Sequence, residues 1–187
     1  MVLLGEKETA LPWVSALTVR EVLQLGNPIL RERSFPVEDF SELSSLKEDL
    51  SDTLLHWRKS TGYGRGIAAP QIGVLKRVVF TNVDEPWLLV NPKIIWKSPE
   101  RMIVWDACLS YLTIFFQVSR AQQIKVTYQD MDRKEREVEA EGALSELLQH
   151  EIDHLDGILA IDRVLDLRTI CTKGEYEKRY AKKNKES

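Results

Sequence analysis

Cysteine and histidine are scarce in this chain, with two Cys and three His among 187 residues. Two thiols as far apart as Cys108 and Cys171 exclude a disulfide framework, so a reducing compartment is expected. No run of about twenty apolar residues is present, and no membrane association is expected. The opening Met1-Val2-Leu3-Leu4-Gly5-Glu6-Lys7 turns charged too early for a signal peptide, which points to the cytoplasm. A formal net charge of −3 argues against coating nucleic acid, and no direct DNA binding is expected. Repeats and low-complexity segments are also missing. What remains, 43% hydrophobic and 29% charged, predicts one globular domain over residues 1–187, with enough apolar material for a core.

Two of the three histidines fall in one stretch, Gln149-His150-Glu151-Ile152-Asp153-His154-Leu155-Asp156-Gly157. A step of four residues advances an α-helix by little more than one turn, so His150 and His154 project from one face and can grip one metal ion. Glu151 can hang beside the open metal position, where it takes a proton from water. This is the H-E-x-x-H arrangement of zinc hydrolases. The plain alternative is a helix with two ordinary histidines. Against it, Leu144, Leu147, Leu148, Ile152 and Leu155 recur at helical spacing and predict a largely buried helix from Gly142 onward, closed by Gly157 as a left-handed cap. A third ligand is required. The histidine of a metzincin would stand where the chain has Ala160; Glu175 and Glu177 would serve a thermolysin-like site; Cys108 and Cys171 are the remaining candidates.

Residues 1–20 lack a clear period and are expected to form a surface arm. The segment Leu25 to Arg31 reads as a turn followed by extended chain, and Leu43, Leu46, Leu50 and Leu54 predict a helix over Phe40 to Trp57. His56, near its end, has no partner motif and reads as structural. Gly62, Gly64 and Gly66 then lead into Ile67-Ala68-Ala69-Pro70-Gln71. They lack the Lys-Ser/Thr ending of a phosphate loop, and fit a substrate-cleft loop that aims the Gln71 amide at the reacting group. Strands are expected at 78–80, 87–90, 94–96, 124–128 and 135–141, with turns at Asn91-Pro92 and Asp130-Met131-Asp132. The order of helix, strands and helix predicts an α+β fold.

Three motifs, Gly64-Arg65-Gly66-Ile67-Ala68-Ala69-Pro70-Gln71, Cys108-Leu109-Ser110 and Gln149-His150-Glu151-x-x-His154, together resemble those of peptide deformylases in the same order. The resemblance runs from about Leu25 through Arg163. It implies mainly antiparallel sheets packed around a central metal-binding helix, and one ion per chain held by Cys108, His150 and His154. Ferrous iron is the implied metal, with zinc, nickel or cobalt as substitutes. Glu151 is then the general base, while the Gln71 amide and the backbone N–H of Leu109 meet charge on the formyl oxygen of an N-formylated peptide. Gly64, Arg65, Gly66, Val104, Ala107 and Glu146 are implied to line the substrate pocket.

Departures from the family pattern carry their own expectations. Asp106-Ala107 stands where Glu-Gly is usual, and Asp106 is expected to sit behind the metal ligands as a partner of Arg120. Leu112-Thr113-Ile114-Phe115-Phe116 replaces an expected proline after Ser110. Arg65 and Glu146 bring charge to an implied methionine pocket, so they either pair across it or turn outward. An amidohydrolase acting on another N-formyl or N-acyl substrate, or a metal-binding homologue of low activity, is the alternative. The tail 168–187 alternates basic residues with Glu and reads as a solvated helix or frayed end, with the ribosome as a candidate partner.

Overall fold

A computed structural model describes residues 18–181. Most of the arm expected over 1–20 lies outside the described residues; at its end, the backbone N–H groups of Thr18 and Arg20 donate to Asp52 and Thr53 of the first helix. Helix α1 (Leu43–Thr61) starts later and runs longer than its periodicity predicts, and Leu43, Leu46, Leu50 and Leu54 are all buried. Gly62 closes it in the left-handed region.

Strands β1 (Gly66–Ala68), β2 (Val78–Asn82), β3 (Pro86–Lys97), β6 (Gln123–Gln129) and β7 (Glu135–Glu141) form an antiparallel sheet in the order β1-β2-β3-β6-β7. Its two faces are both covered. Val78, Phe80, Leu88 and Val90 pack with Leu50 and Leu54 of α1. The alternate residues Val79 and Leu89 pack with Leu148, Ile152 and Leu155 of α2 (Gly142–Leu155). Burial on both faces explains why β2 reads as an unbroken apolar run.

A smaller antiparallel sheet contains β4 (Arg101–Asp106), β5 (Ile114–Ala121) and β8 (Cys171–Thr172), and α3 (Lys173–Arg179) follows. Helix α2 stands between the sheets and is buried from Ser145 to Leu155. Gln149 anchors it by pairing with both backbone groups of Ala121, at 3.0 Å each.

Three local expectations need correction. Asn91-Pro92 is not a chain reversal but a register shift within β3, where Asn91 takes φ 52° and its amide bonds both backbone groups of Val37. Pro28–Arg31 is a 3-10 turn rather than extended chain, because Asn27 caps it and Pro28 opens it. Strands β4 and β5 escaped the pattern, since the inward face of β5 carries Arg120 after Phe116 and Val118. Among the described residues, no helix is long and apolar enough to cross a membrane.

Candidate metal centre and active site

Helix α2 sets His150 and His154 one turn apart, and the chain entering the turn after β4 brings Cys108 beneath them. The ligand atoms of these three side chains all lie within 4.8 Å of one another. Cys108 Sγ is 3.2 Å from His154 Nε2. Burial pushes the Cys108 thiol up, but His154 and His150 outweigh it and bring it down to about 5. One thiolate and two imidazoles, converging and buried, are a donor set that suits a catalytic transition metal and leaves room for water. Cys171 belongs to β8 and Glu175 and Glu177 to α3, outside this cluster.

The orientation of His150 is fixed from behind. Its Nδ1 donates to Asp106 Oδ1 at 2.9 Å, which turns Nε2 towards the cluster. Burial lowers the proton affinity of His150, but Asp106 and Cys108 more than reverse this and raise it well above the ordinary value. Two anionic groups that hold a proton there also favour a cation. Asp106 Oδ2 accepts from Arg120 Nη2 at 3.1 Å, so the expected pairing is present. Although burial disfavours its charge, His150 and Arg120 hold the Asp106 carboxyl well below its usual range. Arg120 also donates to Asp153, which accepts two further bonds from Arg163 at 2.6 Å. Charges thus alternate from His150 through Asp106, Arg120 and Asp153 to Arg163. Sequence reasoning found Asp106 and Arg120 but missed Asp153 and Arg163; the acidic residue inside an otherwise buried helix was the available signal.

Glu151 faces the same space. Its Oε2 is buried without a hydrogen-bond partner, and burial pushes the carboxyl up to about 7 against the pull of His150 and His154. Strand β1 approaches it so closely that a Cβ on Gly66 would lie 2.7 Å from Glu151 Oε1. Glycine there lets the Glu151 carboxylate keep its place, since any larger residue would push it aside. Gln71 follows on a 3-10 turn. Its Oε1 accepts from the Ala68 N–H at 2.9 Å, which leaves the NH2 group aimed at Cys108 Sγ and Ser110 Oγ, each at 3.3 Å. The amide is therefore oriented as a donor towards the cluster.

Gln71, Asp106, Cys108, His150 and Glu151 line one cavity of about 470 Å³, and His154 meets Cys108 behind that lining. Gly64, Arg65, Gly66, Ala107, Leu109 and Glu146 line it too. Val104 does not: its side chain packs in the core around Leu30, Cys108 and Phe116. Its neighbour Trp105 lines the cavity instead. Of the two arrangements open to Arg65 and Glu146, the paired one is present: Arg65 Nη2 donates to the Glu146 carboxylate. The Glu146 side chain is only 7% exposed and that of Arg65 46%, so the arginine reaches in from the surface to neutralise a buried acid. His56 is exposed on α1 and takes no part.

Residues 19–169 match the family described as polypeptide deformylase. A peptide deformylase of Bartonella tribocorum is 36% identical over 177 residues, covering 90% of this chain and 97% of that protein. The crystal structure of the Thermotoga maritima peptide deformylase superposes with a TM-score of 0.74 at 35% identity, covering 79% of this chain and 99% of that one. A class I type b peptide deformylase from Acinetobacter baumannii, in a Met-Ala-Ser bound structure, has TM-score 0.74 at 30% identity, covering 80% and 100%. Fold, sequence and a buried cluster of Cys, two His and a Glu agree, and the chain belongs to the peptide deformylase family.

Proposed function

We propose that this chain is a metal-dependent hydrolase that removes the formyl group from the N-terminal formyl-methionine of nascent polypeptides in the cytoplasm. The convergence of Cys108, His150 and His154 beside a buried Glu151 carries the reading. Those three side chains would hold one ion per chain, with ferrous iron as the physiological metal and zinc, nickel or cobalt as replacements. When bound, the ion supplies Lewis acidity, easing loss of a proton from water and polarising the formyl carbonyl.

The protein's groups do the rest. Glu151 accepts the proton of the attacking water and returns it to the departing amine, so its raised proton affinity suits both roles. The Gln71 amide, held as a donor by Ala68, and the Leu109 N–H stabilise charge on the formyl oxygen. Asp106 keeps the imidazole of His150 in register, and Arg120 keeps Asp106 ionised. The products are formate and a free N-terminus.

Anaerobic turnover of formyl-Met-Ala-Ser by iron-loaded protein, followed by formate release, tests the reading with the Glu151→Gln variant alongside. The expected result is turnover that the substitution removes. Metal-replete protein without turnover overturns it.

A further inference from the structure

The matched family region ends at residue 169, yet the next ten residues return to the cavity. Cys171 and Thr172 pair with Phe115 and Ile114 of β5, and the Lys173 N–H donates to Thr113 O at 2.9 Å. Helix α3 is thereby laid against the mouth of the cleft. Tyr63 Oη donates to Glu177 Oε1 at 3.1 Å, and the Lys173 ammonium lies 4.6 Å from the Tyr63 ring centre. Tyr176 stacks on Phe115 with centroids 4.3 Å apart and also meets Trp105 at 5.3 Å. Tyr180 covers the other part of Trp105 at 4.6 Å.

The result is a wall of rings. Tyr63, Trp105, Phe115 and Tyr176 line the same cavity as Cys108 and Glu151, and all but Phe115 are only half-buried. A formylated N-terminus must reach the buried groups of α2, so the rest of a peptide leaves through the mouth. Aromatic rings held rigid by one another bind apolar side chains at little entropic cost.

Resting on the deformylase reading, we infer that Tyr176, with Trp105 and Tyr63, binds the side chains that follow the formylated residue. The segment Cys171–Arg179 is then one wall of the substrate cleft, and Tyr176 a specificity residue for downstream positions.

The test is equilibrium binding by calorimetry, using full-length zinc-loaded protein carrying Glu151→Gln so that nothing is consumed. The ligands are formyl-Met-Leu-Phe, with two apolar side chains beyond the first, and formyl-methionine amide, with none. Adding Tyr176→Ala weakens the tripeptide about fivefold, as expected for loss of a partly exposed aromatic contact, and leaves the amide unchanged. Tyr176→Phe, which keeps the ring, binds both as before. Equal loss for the two ligands means a merely structural role, and loss for neither means no contact; either overturns the inference. Absence of binding by both ligands before Tyr176 is changed overturns the deformylase reading itself and the inference with it.

Discussion

Replacing Arg120 by Met breaks a buried network whose cost can be worked out from its partners. Arg120 is 2% exposed and bridges Asp106 and Asp153. Asp153 keeps both bonds from Arg163 when the guanidinium is lost. Asp106 keeps only His150, and its carboxylate remains in a fully buried position. Removing one member of a buried ion pair costs about 3–5 kcal/mol, because the survivor's charge goes uncompensated. That is a large part of the roughly 5–15 kcal/mol that holds a domain together. The pH dependence has a definite sign. Asp106 is held below its ordinary range in the folded protein, so its contribution is present above the unfolded value, about 3.9 for a free carboxyl, and lost as pH falls through the folded value. Without Arg120 that contribution shrinks. The gap between parent and variant therefore persists from neutrality to about pH 4 and closes only below it, as pH falls through the folded value. Urea unfolding of metal-free protein at pH 7 and pH 4 measures this. Combining Arg120→Met with Asp106→Asn removes the stranded charge, so the pair together costs less than the two losses added. A single-variant loss below about 1 kcal/mol at pH 7, or strict additivity of the pair, would refute the argument that charge compensation dominates here.

Glu151→Gln lowers turnover by about 10²- to 10⁴-fold while bound metal, measured by elemental analysis, stays near one ion per chain. The parent's activity falls on acidification with a midpoint at or below 7, because a protonated Glu151 accepts no proton and a bound cation favours its charged form; the variant's residual rate does not follow that limb. Gly66→Ala sets a methyl 2.7 Å from Glu151 Oε1, so the carboxylate shifts and kcat drops, with the urea midpoint less affected than activity. Gly157→Ala acts in the opposite sense. It has φ 72° and a Cβ there would clash with the Arg31 carbonyl, so a stability loss of more than about 1 kcal/mol is expected in unfolding curves.

The parts of this protein that were legible in sequence are those whose geometry is local. Helix α2 could be read because its apolar residues and its two histidines obey one period, and α1 because four leucines mark one face. Chemistry written in short motifs was equally plain: His150, Glu151 and His154 come together because i and i+4 share a face. Cys108 was joined to them only through the resemblance, since 41 residues, most of them strand and turn, lie between it and His150 and no local rule measures that distance. Long-range pairing hid other features. Arg120 made β5 look less like a strand, although it is buried there by Asp106 and Asp153. Asn91-Pro92 carries a turn signature but is used as a bulge, because Val37 from a distant segment satisfies the Asn91 amide.

The distribution of unpaired atoms separates the structural charges of α2 from the chemical one. Burying ionised groups on one helix is costly unless each is partnered. His150 has Asp106, Asp153 has Arg120 and Arg163, Glu146 has Arg65, and Gln149 has the backbone of Ala121. Among the carboxylates of the helix Glu151 differs, for its Oε2 is buried and lacks any hydrogen-bond partner among the described residues, as does Nδ1 of the neighbouring His154. Such an atom costs about 1–3 kcal/mol, more when charged. The chain has paired its other carboxylates on this helix and could have paired this one. Leaving it open beside the Cys108, His150 and His154 cluster is what a proton acceptor requires, since a partner that satisfied Oε2 would also occupy the lone pair that takes the proton. The same logic separates Arg65 and Glu146 from the reacting groups: they neutralise each other, and their charges are spent on the wall of the cavity and not on its chemistry.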